Sequence, residues 1–145
     1  MAAIGFDNPC DDEIRAILSK PATVAVVGCS DKPSRDSFRI AALLKQKGFR
    51  VIPVNPSLRE DALLDELGER CYPDLAAIPD TIEIVDVFRR PEYLPEIVEQ
   101  AIIKQARILW CQLGVVNLDA AKLARKAGIT VIMDRCPAIE YQRLF

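Results

Sequence analysis

Thr23-Val24-Ala25-Val26-Val27-Gly28-Cys29-Ser30-Asp31-Lys32-Pro33-Ser34 is the stretch that decides the fold. Its first five residues are continuously apolar or β-branched, which predicts a strand buried on both faces. Gly28 stops that strand. The hydroxyl-rich segment after it leads into residues 34–47, where Phe38, Ala41, Ala42 and Leu44 share one side of a helix that Gly48 ends. A buried strand, a tight polar turn and an amphipathic helix form the opening unit of an α/β sheet.

The unit recurs. Arg50-Val51-Ile52-Pro53-Val54, Glu83-Ile84-Val85-Asp86-Val87-Phe88, Arg107-Ile108-Leu109-Trp110 and Thr130-Val131-Ile132-Met133 read as four further strands. Helices are expected at 93–104, with Leu94, Ile97, Val98, Ala101 and Ile102 inward, and at 117–127, capped by Asn117 and stopped by Gly128. One more precedes the first strand at 11–18, and a short one follows Cys136. Residues 55–81 form the only long connection, where Ala62, Leu63, Leu64 and Leu67 suggest another helix before the Cys71-Tyr72-Pro73 bend. Pro53 has no N–H to give a ladder, which predicts an edge or an irregularity for its strand. The expectation is one domain over residues 1–145: an α/β, doubly wound, Rossmann-like parallel sheet of five strands, in the order 3-2-1-4-5, with helices on both faces.

The chain has 145 residues, enough for one real core, and half of them are apolar. A net charge of −2 gives no global basic field for nucleic acid. No apolar run approaches the ~20 residues of a membrane span. Residues 1–8 have neither the basic nor the apolar region of a secretory signal. The five cysteines are odd in number and lack CxxC spacing, so they read as free thiols in a reducing, cytoplasmic compartment and not as a metal knuckle. There is no histidine, the side chain that most readily moves protons near neutral pH.

Ligands of doubly wound sheets sit beyond the carboxyl ends of the strands. After the first strand, Gly28 permits close approach, Ser30, Ser34 and Ser37 offer hydroxyls, and Lys32, Arg35 and Arg39 offer charge. With a helix N-terminus behind them, these residues suit a phosphate cradle; a serine-capped helix with solvated charges is the plainer alternative. The G-x-G-x-x-G fingerprint is absent, and Asn55-Pro56 stands where an NAD enzyme carries its acidic ribose ligand. A Walker A loop is absent too. Phe88-Arg89-Arg90 follows the third strand, Gln112-Leu113-Gly114 the fourth, and Asp134-Arg135-Cys136-Pro137 the fifth.

Taken in order, Gly28-Cys29-Ser30-Asp31-Lys32-Pro33, Val51-Ile52-Pro53-Val54-Asn55-Pro56, Val85-Asp86-Val87-Phe88-Arg89, Leu109-Trp110-Cys111-Gln112-Leu113-Gly114-Val115 and Met133-Asp134-Arg135-Cys136-Pro137 resemble the stand-alone CoA-binding domain family. That family is similar to the N-terminal CoA-binding domain of the succinyl-CoA synthetase α-subunit, and the resemblance runs from about residue 12 to residue 145. It implies a Rossmann-like fold that binds coenzyme A or an acyl-CoA. The synthetase uses a histidine for phosphotransfer; this chain has none, so no catalytic activity of its own is expected. The residue chemistry agrees: the first loop, with Gly28, Cys29, Ser30, Arg35 and Arg39, can hold the pyrophosphate. Asn55, Lys32 and Arg89 are candidates near the ribose and its phosphate. Val87 and Phe88 would flank the adenine, and Gly114 would line the pantetheine arm; Pro56 and Gln112 complete the expected ligand residues. The alternative is an NAD(P)-binding oxidoreductase domain. Cys29, Cys111 and Cys136 are expected along the same edge, either as small buried hydrophobes or, for Cys111 or Cys136, as partners in a mixed disulfide with the CoA thiol.

Overall fold

The computed structural model describes residues 5–145, so the reading of residues 1–8 as no signal lies partly outside it. Five parallel strands form one sheet: β1 Thr23–Val27, β2 Arg50–Val54, β3 Ile84–Val87, β4 Ile108–Cys111 and β5 Thr130–Ile132. The helices are α1 Asp11–Ser19, α2 Asp36–Gln46, α3 Leu64–Leu67, α4 Leu94–Ile103, α5 Leu118–Lys126 and α6 Pro137–Leu144, with single 3-10 turns at Leu75–Ala77 and Pro91–Tyr93.

Alternation along the strands divides the interior into two layers. Ala25, Val27, Val85, Val87, Leu109 and Val131 meet Leu94, Val98 and Ala101 of α4 and Ala120, Ala121 and Ala124 of α5. Val24, Val26, Val51, Ile84, Trp110 and Ile132 meet Ile14 and Leu18 of α1, Ile40 and Leu44 of α2, and Leu144 of α6. Both faces are covered, which is why the strands read as continuous apolar runs.

The strand order is β2-β1-β3-β4-β5, which corrects the expected 3-2-1-4-5. After β2 the chain does not add a strand beside it. Leu63 and Leu67 pack on the α2 side, Tyr72 then bridges to Val54 at the outer edge of β2, and Leu75, Ile78 and Ile82 pack on the α4 side. The connection therefore wraps the edge of the sheet, and β3 enters on the far side of β1. Pro53 lies on this edge strand. Its carbonyl accepts from Tyr72 N at 3.0 Å, on the side where its missing N–H costs no ladder bond between β1 and β2. The helix expected around 62–67 is reduced to the single turn α3, ended by Gly68 at φ +73°.

The margin beyond β5 is closed differently. The Asn8 side chain donates to Met133 O at 2.9 Å and accepts from Met133 N at 2.7 Å, as a neighbouring peptide unit would.

Candidate functional site at the carboxyl edge

The corrected order moves the switch between the two halves of the sheet to β1 and β3. There Phe88 N donates to Val27 O at 2.8 Å, and Gly28 N donates to Val54 O at 2.7 Å. Gly28 sits at φ +86°, and a Cβ on it would stand 2.7 Å from Phe88 O. Only glycine lets the first loop and the third strand end run this close. Beyond it the loop is fastened internally. Ser37 Oγ accepts from Ser30 N, Ser30 Oγ accepts from Lys32 N, and Asn55 Nδ2 donates to Cys29 O at 3.0 Å. Asn55 Oδ1 accepts from Ser57 N, so both ends of that side chain tie loops together.

Three cavities follow one another along this edge. The central one, about 560 Å³, is lined by Gly28, Ser30, Ser34, Arg35, Ser37, Asn55 and Phe88, with the start of α2 opening into it. A second, about 230 Å³, lies toward α4, between Val27, Pro56, Arg89, Tyr93 and Gln100. The third, about 430 Å³, is a groove between α2 and α6 lined by Arg39, Leu43, Phe88, Gln112, Leu113, Cys136 and Ile139. Asp36 and Phe88 border both the central cavity and this groove.

Charge is distributed unevenly around them. Lys32, Arg35 and Arg89 form no ion pair among the described residues, whereas Arg39 pairs with Asp36 and donates to Ser34 O at 2.8 Å. The Arg89 guanidinium lies over the Tyr93 ring, 4.4 Å from its centroid. The unneutralised Arg35 beside the N-terminus of an eleven-residue helix, with Asp36 paired to Arg39, makes the central cavity favourable for an anion.

The structure brings Gly28, Ser30, Arg35, Asn55 and Phe88 to the central cavity, Pro56 and Arg89 to the second, and Arg39 and Gln112 to the groove. Gly114 is exposed at the loop after β4, its N–H held by Asp134 Oδ1 at 2.7 Å with open space above it. Lys32 is exposed and lines none of the three cavities. Val87 is corrected as an adenine contact: it is fully buried in the α4 layer, because strand alternation turns its side chain onto the face that α4 covers. Cys29, placed with the ligand loop, is fully buried in the other layer, in keeping with its reading as a small buried hydrophobe, and burial, reinforced by Cys71 and Asp86, pushes its thiol up to about 12. Cys111 is likewise fully buried and its thiol is pushed up by burial, while Cys136 is half-buried on the groove wall. Sequence reasoning missed Tyr93 as the platform for Arg89; the signal available was an aromatic four residues beyond the arginine in a helix-starting segment. It also missed the α6 wall of the groove, where the structure leaves Ile139 exposed.

A parallel sheet with helices on both faces and a glycine turn at its switch point defines the Rossmann-like class. Within that class the chain belongs to the CoA binding domain family, which matches residues 22–142. It is similar to the uncharacterized protein YneT of Bacillus subtilis (strain 168), with 40% identity over 131 residues, 90% of this chain and 93% of that protein. It is also similar to the structure of a hypothetical protein from Pyrococcus horikoshii OT3, with 41% identity and a TM-score of 0.85 over 94% of this chain and 92% of that one. ADP-forming acetate–CoA ligase II of Archaeoglobus fulgidus shares 33% identity over 89 residues, 60% of this chain but 12% of the ligase. No helix among the described residues is long and apolar enough to cross a membrane, and no cluster of three or more potential metal ligands occurs among them.

Proposed function

We propose that this chain binds coenzyme A or an acyl-CoA along the carboxyl edge of its sheet and catalyses no reaction by itself. The observation that carries the reading is the central cavity, where the Gly28 turn, Ser30, Ser34, Ser37 and the unpaired Arg35 surround the N-terminus of α2. Its size and donors suit a pyrophosphate. The second cavity, with Arg89 held on Tyr93, suits the adenosine and its ribose phosphate, with Phe88 between it and the groove. The groove suits the long neutral pantetheine arm, because most of its wall is apolar, Asp36 and Arg39 on it pair with each other, and Gln112 supplies a further polar contact. The family membership and the likeness to part of an acetate–CoA ligase support the choice of CoA. The five free thiols support a reducing, cytoplasmic setting.

Titration calorimetry with CoA, NADH and NADPH tests the reading. CoA is expected to bind in preference to both, because the turn has one glycine and Asn55, committed to loop contacts, replaces an acidic ribose ligand. Equal or tighter binding of either nicotinamide nucleotide would favour an oxidoreductase domain instead. Turnover of acyl-CoA by the purified chain, retained through repurification, would overturn the absence of catalysis.

A further inference from the structure

Asp86 is an ionisable residue in the middle of the sheet. It stands on β3 in register with Val26 on one side and Trp110 on the other, and it is 1% exposed. Leu18, Val24, Leu44, Phe49 and Pro137 surround it with apolar surface. One carboxylate oxygen accepts from Gln112 Nε2; the other has no partner. Leaving such an atom unsatisfied costs free energy that a valine there would not. Gln112 itself is 5% exposed, and its main chain is fixed by a bond from its N–H to Val87 O at 3.3 Å. With Nε2 turned inward, its Oε1 takes no protein donor among the described residues and is left to the groove.

We infer that Asp86 is a positioning residue that sets the hydrogen-bonding sense of the groove: by accepting from Gln112 Nε2 it presents the Gln112 carbonyl oxygen to a ligand arm bearing amide N–H donors. The inference rests on the reading that the groove takes the pantetheine arm, whose two secondary amides are such donors. An ionised carboxylate only accepts, so it admits one orientation of the Gln112 amide. A protonated carboxyl keeps one acceptor and gains one donor, so the single sense is lost and the amide can turn Oε1 inward and Nε2 outward. In that turned state the groove presents a donor in place of an acceptor and loses its match to the arm.

Burial pushes the Asp86 carboxyl up to about 7, with the Gln112 bond opposing, so this exchange falls near neutrality. The groups packed around Asp86 leave it in control. From the β1 and β4 ends come the Cys29 and Cys111 thiols, both pushed up by burial and neutral. α1 presents Ile17 and Leu18, and its charged residues are exposed. On α2, Asp36 and Arg39 pair with each other at the rim. On α6, Glu140 is held by Arg135 at 3.0 Å and Arg143 at 2.7 Å.

The test compares affinities for CoA and for its nucleotide half, the adenosine with all its phosphates and no pantetheine, from about pH 6 to about pH 8. With the outer phosphate of the nucleotide half capped as its methyl ester, as pantetheine caps it in CoA, both ligands share the phosphate titrations and their affinity ratio isolates the arm. In the wild type the ratio is expected to favour CoA about fivefold more at the upper pH, one hydrogen bond's worth. Asp86→Asn, which cannot ionise, should give a flat ratio. Gln112→Leu should also be flat, and serves where Asp86→Asn folds poorly. A flat ratio in the wild type, or a wild-type slope kept in either variant, would overturn the inference while CoA binding stands. Failure of both ligands to bind at any pH would overturn the CoA reading, and this inference with it.

Discussion

Arg89 carries a charge that no carboxylate neutralises among the described residues, and Tyr93 fixes where that charge sits. An arginine held in this way loses little freedom on meeting an anion. Arg89→Ala is therefore expected to weaken CoA by about 1.5–3 kcal/mol, the range of a charge-assisted hydrogen bond. Lys32→Ala removes an exposed ammonium outside the cavities and should cost less than about 1 kcal/mol. Calorimetry on the two variants checks the ranking, and an equal loss would move the phosphate toward the first loop. The thiols divide just as clearly. Cys10 is exposed and Cys136 half-buried, whereas Cys29, Cys71 and Cys111 are buried. A maleimide should label Cys10 and Cys136 in the native protein and reach the other three only after unfolding. Mass spectrometry after incubation with CoA disulfide is expected to place any adduct in the groove on Cys136, lost in Cys136→Ser. Labelling of Cys111 without unfolding would contradict the packing described here.

At the scale of elements, the first turn and the third strand depend on each other. Gly28→Ala puts a methyl group 2.7 Å from Phe88 O at a positive φ, so the two segments must separate. The expected loss is about 1–3 kcal/mol of stability, together with weakened ligand binding, read by urea denaturation and calorimetry. Unchanged stability would mean that the loop repacks freely. Elements of this kind were legible because burial writes itself into periodicity: the runs at 23–27 and 50–54 and the apolar faces of α2, α4 and α5 were all readable. Strand order was not, since apolar periodicity says which face is buried and nothing about which neighbour covers it. Pro53 was the exception. It asked for an edge or an irregularity, and the expected order 3-2-1-4-5 set its strand between two others; the observed order gives it an edge. The chemistry of the site was legible as residue types after strand ends. The inward turn of Val87 and Cys29, and the commitment of Asn55 to loop contacts, needed coordinates.

For the molecule as a whole, two tightly filled layers leave a carboxyl group with nowhere to ionise cheaply. Native Asp86 keeps its proton up to about 7, whereas the unfolded chain releases it near 3.8. Between those values the native state binds more protons, so this group lowers stability as pH rises through the window, and the loss is complete above it. Its size is on the order of a few kcal/mol. Urea unfolding across the window should show that fall in the wild type and a shallower one in Asp86→Asn; parallel profiles would assign the dependence elsewhere. The same sheet has two margins, one wrapped by the segment through Tyr72 and one only three residues long, met past its end by the Asn8 side chain. A margin that is short, or that already holds a partner, offers a poor template for a second molecule to extend the sheet, which is how amyloid-like growth begins. Asn8 stands 125 residues from the backbone it satisfies. One early side chain thus occupies the backbone just past the last strand, and Asn8→Ala would leave the Met133 N–H and C=O open to a second molecule.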